Sequence, residues 1–281
     1  MTVEIARDVA SLRAFVMNWH AAGTRVALVP TMGALHEGHL SLVADAKRRA
    51  DRVVMSIFVN PAQFAPNEDF AAYPRTIQTD VEAFIAAGGD LVFAPEIGEV
   101  YPPDFVTKIS LGGPATAGLE DKFRPDHFTG VATVVAKLLI MAKPDVALFG
   151  EKDYQQLAVI RQMARDLNLE SEIVGVQTVR AKDGLALSSR NVYLTPEERA
   201  RAPLLHGALE RCRKAILAGE EIAVAIARAE GALTMMDFAV DYVAACHAVT
   251  LAPVTSAADR PIRLLAAARL GATRLIDNIA V

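Results

Sequence analysis

The chain has 281 residues with a formal net charge of −4, and 52% of its residues are hydrophobic against 22% charged. This composition is typical of an ordinary globular protein, and it excludes a nucleic-acid-binding protein that relies on a basic surface. The longest apolar segment, residues 131–142, is interrupted by Lys137 and is too short to span a bilayer, and Glu4, Arg7 and Asp8 precede any long apolar run. We therefore expect a cytoplasmic protein whose partners include neither a membrane nor a nucleic acid.

Short apolar runs alternate with helical patterns along the first 176 residues. Apolar residues at helical spacing predict a first helix over residues 8–22. The nearly uninterrupted apolar runs are those expected of strands covered on both faces, which we predict at residues 24–29, 52–59, 90–95, 146–149 and 171–176. The alternation predicts an α/β fold, with a Rossmann-like parallel-sheet nucleotide-binding domain over residues 1–176.

Two histidines, His36 and His39, lie where the first predicted strand gives way to a helix. Ligands collect at the carboxyl ends of parallel strands, and the next helix offers unpaired N–H groups to an anion such as a nucleotide phosphate. The three-residue spacing places both side chains on one face of the first helical turn, and Gly38 leaves the backbone open to close approach. Two alternatives stay open at this point: a zinc site, although the metalloprotease pattern needs histidines four apart, and two solvated histidines at a helix start.

A long connection over residues 60–70 follows the second strand, and long ordered loops in α/β domains tend to be functional. Its Gln63 carries an amide that can orient both an acid and an incoming amine, the alternative being a hydrogen bond that stabilises the loop. Asp80, in the next predicted helix, is a candidate ligand for one Mg²⁺ ion that bridges phosphates mainly through water. Arg124 is a candidate for a bidentate contact to phosphate, and His127 is expected to be a structural histidine.

A second crossing from strand to helix carries Gly150, Glu151, Lys152 and Asp153. The glycine allows tight approach, Lys152 provides a point charge, and Asp153 is placed to cap the following helix. Gln156 falls in the first turn of that helix. It can face the same crevice and hold a second substrate, or it can be an exposed helix amide.

Beyond the last of these strands lies the run Ser188-Ser189-Arg190, whose two hydroxyls and guanidinium can follow a departing diphosphate. The chain contains no Walker A string, no Gly-x-Gly-x-x-Gly and no Gly-x-Ser-x-Gly, which leaves direct attack on a nucleotide. A carboxylate with a pKa of about 4 can attack without a general base, so the reaction mainly requires charge neutralisation on the triphosphate. The groups that supply it, and that we predict to be catalytic, are His36, His39, Lys152, Ser188, Ser189 and Arg190.

The composition changes at Thr195, where a helix start has an N-cap threonine, Pro196 at the first helical position and Glu198 in capping-box register. Two alanine-rich helices over residues 196–218 and 221–236 precede strand-like runs at residues 238–246, 262–269 and 273–279. This pattern predicts a smaller α+β domain with an antiparallel sheet. We place this C-terminal lid domain at residues 177–281.

Four strings, at residues 30–39, 58–64, 150–156 and 187–191, resemble those of the pantoate–β-alanine ligase family, in the nucleotidyltransferase superfamily with a His-x-Gly-His motif. The Ser-Ser-Arg run is similar to the Lys-Met-Ser-Lys-Ser loop of that superfamily. The resemblance covers nearly the whole chain. It implies ATP-dependent condensation of (R)-pantoate with β-alanine to pantothenate through a pantoyl-adenylate, with release of diphosphate and AMP, by a homodimer.

The resemblance also implies roles for individual residues. His39 would be the proton donor, Gln63 would serve pantoate and β-alanine, and Gln156 would hold pantoate. Leu187 stands where the family usually has methionine, a volume-conserving difference that should cost little. The residues expected to line ATP are Met32, Gly33, Ala34, Leu35, His36, Glu37, Gly38, His39, Gly150, Glu151, Lys152, Asp153, Val179, Leu187, Ser188, Ser189 and Arg190.

Two other functions are compatible with parts of this pattern. One is transfer of a nucleotide onto a phosphorylated acceptor, as in phosphopantetheine adenylyltransferase, whose chains are generally shorter and lack the Val-Asn-Pro-x-Gln-Phe loop and this C-terminal domain. The other is a nucleotide-sensing or assembly protein without turnover. Such a protein is expected to lose the histidines or the Ser-Ser-Arg run, and this chain keeps both.

Overall fold

The computed structural model describes residues 3–65 and 70–281 of the chain. Of the predicted connection over residues 60–70, residues 66–69 lie outside the described residues. Contacts between Cα atoms divide the chain into two compact units, the first within Met1–Glu151 and Val159–Gln177 and the second within Lys152–Ala158 and Thr178–Val281. Lys152 and the start of the helix after it thus group with the C-terminal residues, while the domain boundary at residue 176 stays a prediction.

The first unit is built on a parallel sheet that has six strands among the described residues. The strands are β1 (Glu4–Ala6), β2 (Val26–Thr31), β3 (Arg52–Ile57), β4 (Leu91–Phe93), β5 (Val146–Gly150) and β6 (Glu172–Val176). Their order is β1-β4-β3-β2-β5-β6, and every neighbouring pair is parallel. The predicted Rossmann-like fold is therefore confirmed. The edge strand β1 escapes sequence prediction because three residues give no recognisable apolar run.

Helices connect these strands. They are α1 (Val9–Ala21), α2 (Glu37–Arg49), α3 (Ile77–Ala86), α4 (Ile97–Val100), α5 (Glu120–Phe123), α6 (His127–Ala142) and α7 (Tyr154–Asp166). Helix α6 contains the apolar segment at residues 131–142 and begins one turn before it. Its first turn lacks an apolar run, yet His127 and Phe128 are buried in it.

Strand β2 lies in the core of the first unit, where Val26, Ala27, Leu28 and Val29 are each no more than 1% exposed. Ala27 and Val29 share a hydrophobic cluster with Val43 of α2. Burial on both faces explains why the strand is an uninterrupted apolar run. This packing fixes the strand end from which the histidine turn starts.

The second unit contains the helices α8 (Pro196–Arg201), α9 (Leu204–Leu217) and α10 (Ile222–Thr234) and the strands β7 (Ala239–His247), β8 (Ile262–Leu270) and β9 (Thr273–Ala280). The strands form an antiparallel sheet in the order β7-β8-β9, as predicted. The prediction of one helix over residues 196–218 is wrong. Ala202 keeps helical backbone angles, but Pro203 has no N–H to continue the hydrogen-bond ladder, so the chain divides into α8 and α9 there.

Thr195 caps α8 as predicted, accepting from Glu198 N at 3.2 Å while Glu198 Oε2 accepts from Thr195 N at 2.9 Å. Within residues 3–65 and 70–281, no helix is both long enough and apolar enough to cross a membrane.

Candidate active site

The two histidines of the first unit are held by backbone hydrogen bonds at the start of α2. His36 is the N-cap residue, and its Nδ1 accepts from Gly38 N at 3.1 Å. His39 Nδ1 accepts from His36 N at 3.3 Å, and the two ring centroids lie 4.1 Å apart. Since each Nδ1 is an acceptor, the proton of each neutral ring belongs on Nε2. The turn therefore presents two imidazole Nε2–H donors beside the N-terminus of a helix, which suits an anion.

The same tautomers argue against the zinc alternative. A histidine that binds a metal usually donates its other ring N–H to an acceptor, whereas here that second nitrogen accepts from the backbone. Within the described part of the chain, no group of three or more histidine, cysteine, aspartate or glutamate side chains is arranged to hold a metal ion.

Asp80 supports the loop that leads into the histidine turn. Gly33 and Ala34 both have positive φ, at 84° and 52°, which is an uncommon backbone for alanine. The Asp80 side chain accepts from Ala34 N at 3.0 Å, from Leu35 N at 2.8 Å and from the Thr76 hydroxyl at 3.1 Å.

These contacts give Asp80 a different role from the predicted Mg²⁺ ligand. The residue is only 2% exposed, and both carboxylate oxygens accept hydrogen bonds from the loop and from the residue that precedes α3. A carboxylate used in this way does not fit a metal that keeps a nearly ideal octahedron of oxygens. Asp80 instead satisfies two partly buried loop N–H groups.

Gln63 lies in the same unit, next to the loop before the histidines. It ends a short 3-10 turn, Pro61–Gln63, that is capped by Asn60. Asn60 Nδ2 donates to Gln63 Oε1 at 3.1 Å, and Gln63 Nε2 lies 3.1 Å from Met32 Sδ. The Tyr101 hydroxyl donates to Asn60 Oδ1 at 2.8 Å, and burial raises the pKa of Tyr101 to about 12, so the tyrosine stays protonated as a donor.

The backbone of Gln63 is held from the other side by α6 and the residues before it. Arg124 Nη2 donates to Gln63 O at 3.2 Å, and His127 Nδ1 lies 3.0 Å from the same oxygen. Arg124 Nη1 lies 3.2 Å from His127 Nε2, and because arginine only donates, Nε2 accepts and Nδ1 carries the proton. A side chain at Gly130 would place its Cβ 2.0 Å from Ala62 O, so only glycine permits this close approach.

Sequence reasoning missed much of this support. Asn60 lies inside the string that carries the family resemblance, and a side chain that caps a turn three residues before Gln63 was a usable signal. Tyr101 is distant in sequence and gives no signal. His127 is structural, as expected, but its structural role is to hold Gln63, and Arg124 contacts the Gln63 carbonyl.

The predicted residues Lys152, Asp153 and Ser188 to Arg190 lie in the second unit. The Lys152 side chain is 19% exposed, and its Nζ is 3.9 Å from Asp153 Oδ2. Ser188 caps a 3-10 turn, Ser189–Tyr193, and its Oγ accepts from Arg190 N at 3.3 Å. Lys152 and Ser188 line one small cavity, so the two segments are neighbours within this unit.

The structure thus sorts the predicted site residues into two groups. Within the first unit it brings Gln63 into contact with Met32, and His36 into contact with His39. Within the second it brings Lys152 close to the Ser188 turn, with Val179 O accepting from Leu187 N at 3.0 Å at the entry to that turn. Gly150 and Glu151 belong to the first unit, and Asp153 and Gln156 to the second.

Comparison with known proteins identifies the family. A family model described as pantoate-beta-alanine ligase matches residues 4–280. The chain belongs to the pantoate–β-alanine ligase family. It is 56% identical over 277 residues to a pantothenate synthetase of Nitrobacter hamburgensis, a match that covers 99% of this chain and 98% of that protein.

Solved structures of the same family agree in fold. The pantothenate synthetase of Thermus thermophilus matches with a TM-score of 0.93 at 47% identity, covering 99% of both chains. A pantoate-beta-alanine ligase of Francisella tularensis, in complex with beta-gamma ATP and beta-alanine, matches with a TM-score of 0.80 at 32% identity, covering 99% of this chain and 98% of that one.

As a member of this family, the chain is an enzyme that uses ATP to join pantoate and β-alanine in pantothenate biosynthesis. This activity is the one that the sequence predicted. It sets aside both the transfer of a nucleotide onto a phosphorylated acceptor and a nucleotide sensor without turnover.

Proposed function

We propose that the chain condenses (R)-pantoate with β-alanine in two steps through a pantoyl-adenylate. In the first step the pantoate carboxylate attacks the α-phosphorus of ATP, and the bond to the diphosphate breaks. In the second step the amine of β-alanine attacks the acyl carbon, the bond to the adenylate oxygen breaks, AMP leaves, and the amine loses a proton. The observation that carries this proposal is the pair of Nε2–H donors at the start of α2 in the same unit as the Gln63 amide.

The first step needs donors and positive charge on the triphosphate more than it needs a base. A carboxylate with a pKa of about 4 is already ionised at neutral pH, whereas negative charge moves to the departing diphosphate. We assign the phosphate contacts to six residues whose side chains are donors or cations: His36, His39, Lys152, Ser188, Ser189 and Arg190. Among these, His39 is the proposed proton donor.

The other ATP-lining residues are proposed from the family pattern and from their places in the chain. Gly33 and Ala34 form the turn that Asp80 holds, shortly before the histidine pair. The remaining members of the set are Met32, Leu35, Glu37, Gly38, Gly150, Glu151, Asp153, Val179 and Leu187.

Gln63 is the proposed contact for both small substrates. An amide has two N–H groups and two oxygen lone pairs. The contact to Asn60 uses one lone pair, and the contact to Met32 uses one N–H group. The amide can therefore donate to the pantoate carboxylate or hydroxyl and accept from the amine of β-alanine. Gln156, partly buried in the first turn of α7, is the proposed second contact for pantoate.

The ATP bound in the Francisella tularensis relative supports ATP as the nucleotide here, and one Mg²⁺ ion is proposed with it. Such an ion would neutralise phosphate charge through phosphate and water oxygens, which is its usual mode in nucleotide sites. Asp80 is unsuited to hold it, for the reasons given above. The homodimer and the cytoplasmic location expected from the sequence stay predictions.

Pantoate-dependent exchange of labelled diphosphate into ATP tests the proposal directly. We expect exchange with ATP and pantoate in the absence of β-alanine, because the adenylate forms before the amine is needed. Exchange that requires a phosphorylated acceptor, or exchange that fails without β-alanine, would contradict the adenylate route.

A further inference from the structure

Two adjacent polar residues near the end of β9, Asp277 and Asn278, are almost completely buried. Asp277 is 4% exposed and Asn278 is 3% exposed. Burying a charge and an amide is unfavourable unless each is well paired. The partners of the two side chains therefore indicate what Asp277 and Asn278 hold in place.

Asp277 holds the short hairpin of residues 180–186, which leads into the Ser188 turn. Its two oxygens accept from Arg180 Nη1 at 2.6 Å and from Arg180 Nη2 at 2.8 Å, a bidentate ion pair. Arg180 also donates to Gly184 O at 3.1 Å and pairs with Ala186 as an antiparallel bridge. The chain then passes directly through Leu187 into Ser188, so the position of Arg180 sets where this turn begins.

A histidine adds to this ion pair. His206 Nδ1 lies 3.3 Å from Asp277 Oδ2. Burial alone would raise the pKa of Asp277, but His206 and Arg180 outweigh it and hold the pKa below its ordinary value. The carboxylate therefore stays ionised across the neutral range.

Asn278 holds the backbone of Lys152. Its Nδ2 donates to Lys152 O at 2.8 Å, and its Oδ1 accepts from Arg263 Nε at 2.7 Å. The Arg263 guanidinium lies 4.1 Å from the centroid of the Tyr154 ring, so the same arginine also packs on the start of α7. The Tyr154 hydroxyl donates in turn to Ala248 O at 3.0 Å.

We propose that Asp277 and Asn278 are positioning residues that hold Lys152 and the Ser188–Arg190 turn at a fixed separation for the polyphosphate of ATP. This inference rests on the proposed placement of ATP against those residues. The two segments are 36 positions apart in the chain, and adjacent residues of one strand fasten both. Charge stabilisation of a leaving diphosphate depends on donors already in place, and displacement by about 1 Å can cost on the order of 10²-fold in rate.

The first test is a double-mutant cycle between Asn278 and Lys152, measured as pantoate-dependent diphosphate exchange. We expect Lys152→Ala to lower the rate by on the order of 10²-fold and Asn278→Ala to lower it by about tenfold. In the Lys152→Ala background, Asn278→Ala should change the rate by less than about twofold, because the residue acts through Lys152. The KM for ATP should rise in Asn278→Ala while the KM for pantoate stays within about twofold.

The second test is the matching cycle between Asp277→Asn and Arg190→Ala. A control variant is Asp241→Asn, which removes a carboxylate that accepts from Arg274 Nε at 2.7 Å in the same antiparallel sheet. The control should lower the melting temperature yet leave the KM for ATP unchanged, whereas Asp277→Asn should alter both. If Asn278→Ala fails to fold, Asn278→Thr suits a strand, cannot reach Lys152 O and serves in its place.

The outcomes separate this inference from the proposed function. Additive effects in both cycles, or Asp277→Asn behaving like Asp241→Asn, would overturn the inference and leave the ATP placement intact. If Lys152→Ala and Arg190→Ala each leave exchange and the KM for ATP unchanged, the ATP placement itself is wrong and the inference falls with it.

Discussion

The two units each contain a predicted phosphate-binding turn backed by a buried aspartate, but the two carboxylates work differently. In the first unit Asp80 accepts backbone N–H groups from the loop next to the histidines. In the second, Asp277 forms an ion pair with Arg180, which in turn holds the hairpin before Ser188. The first turn is thus fixed by hydrogen bonds to its own backbone, and the second by a charged side chain that belongs to a distant strand.

This difference predicts different responses to substitution. Asp80 accepts from the Ala34 and Leu35 N–H groups, so substituting it removes hydrogen bonds from the loop itself. Asp277 neutralises the partly buried guanidinium of Arg180, so its loss leaves that charge without this partner while the local hairpin bonds persist. The first unit should therefore respond mainly to changes in hydrogen bonding, and the second to changes in charge and pH.

The largest expected effect comes from the histidine turn itself. His39→Ala should slow adenylate formation by on the order of 10²-fold or more, because it removes a donor that acts on the developing charge. Diphosphate exchange measures this step. His20→Ala is the control, since His20 is in the same unit and contacts Asp145 at 3.2 Å. A His39→Ala rate close to that of the parent would reject the role.

Gln63→Ala tests the other functional group of the first unit. If the amide serves the two small substrates as proposed, the substitution should raise the KM values of pantoate and β-alanine by about tenfold each while changing the KM for ATP much less. Steady-state kinetics with each substrate varied in turn give the three constants. A weaker affinity for ATP with unchanged pantoate binding would show that Gln63 belongs to the nucleotide site.

Asp80→Asn tests the loop contact and separates it from the metal hypothesis. The new NH₂ group would face one of two backbone N–H donors, so we expect a loss of about 2 kcal/mol in the free energy of unfolding and a rate lowered by about tenfold. Urea unfolding and diphosphate exchange measure the two effects. Restoration of the rate by excess Mg²⁺ would favour the metal-ligand role over the one argued here.

The smallest effect concerns pH and the second unit. Since Asp277 has a lowered pKa in the folded state, its contribution to stability is present above the ordinary carboxyl pKa and is lost as the pH falls through the lowered value. Asp277→Asn should therefore flatten the acid limb of the stability curve. Urea unfolding at pH 7 and at about pH 2.5, below the ordinary carboxyl pKa, measures it. An acid limb that keeps its slope in the variant would assign the dependence to other carboxylates.

Local signals in the sequence were sufficient to predict the fold class and to single out the histidine turn and the Ser188 run. Apolar runs marked β2 to β6 because a doubly covered strand has no polar face. The histidine turn was recognisable because it lies where a strand ends, and the Ser188 run because it carries two hydroxyls and a guanidinium beyond the last parallel strand. The capping box at Thr195 is contained in four residues. The break at Pro203 was also readable and was overlooked in favour of the alanine-rich pattern.

What the sequence alone determined was the order of most elements and the family, because these depend on short-range patterns; the side chains that meet ATP stay a prediction. Only the tertiary structure decided that Asp80 supports a loop, that Tyr101, Arg124 and His127 hold the Gln63 turn, and that Asp277 and Asn278 fasten two separate segments. The physical reason is that a buried polar side chain is defined by the partner that satisfies it. Asn278 and Lys152 lie 126 positions apart, a separation at which neither residue carries a local sign of the other.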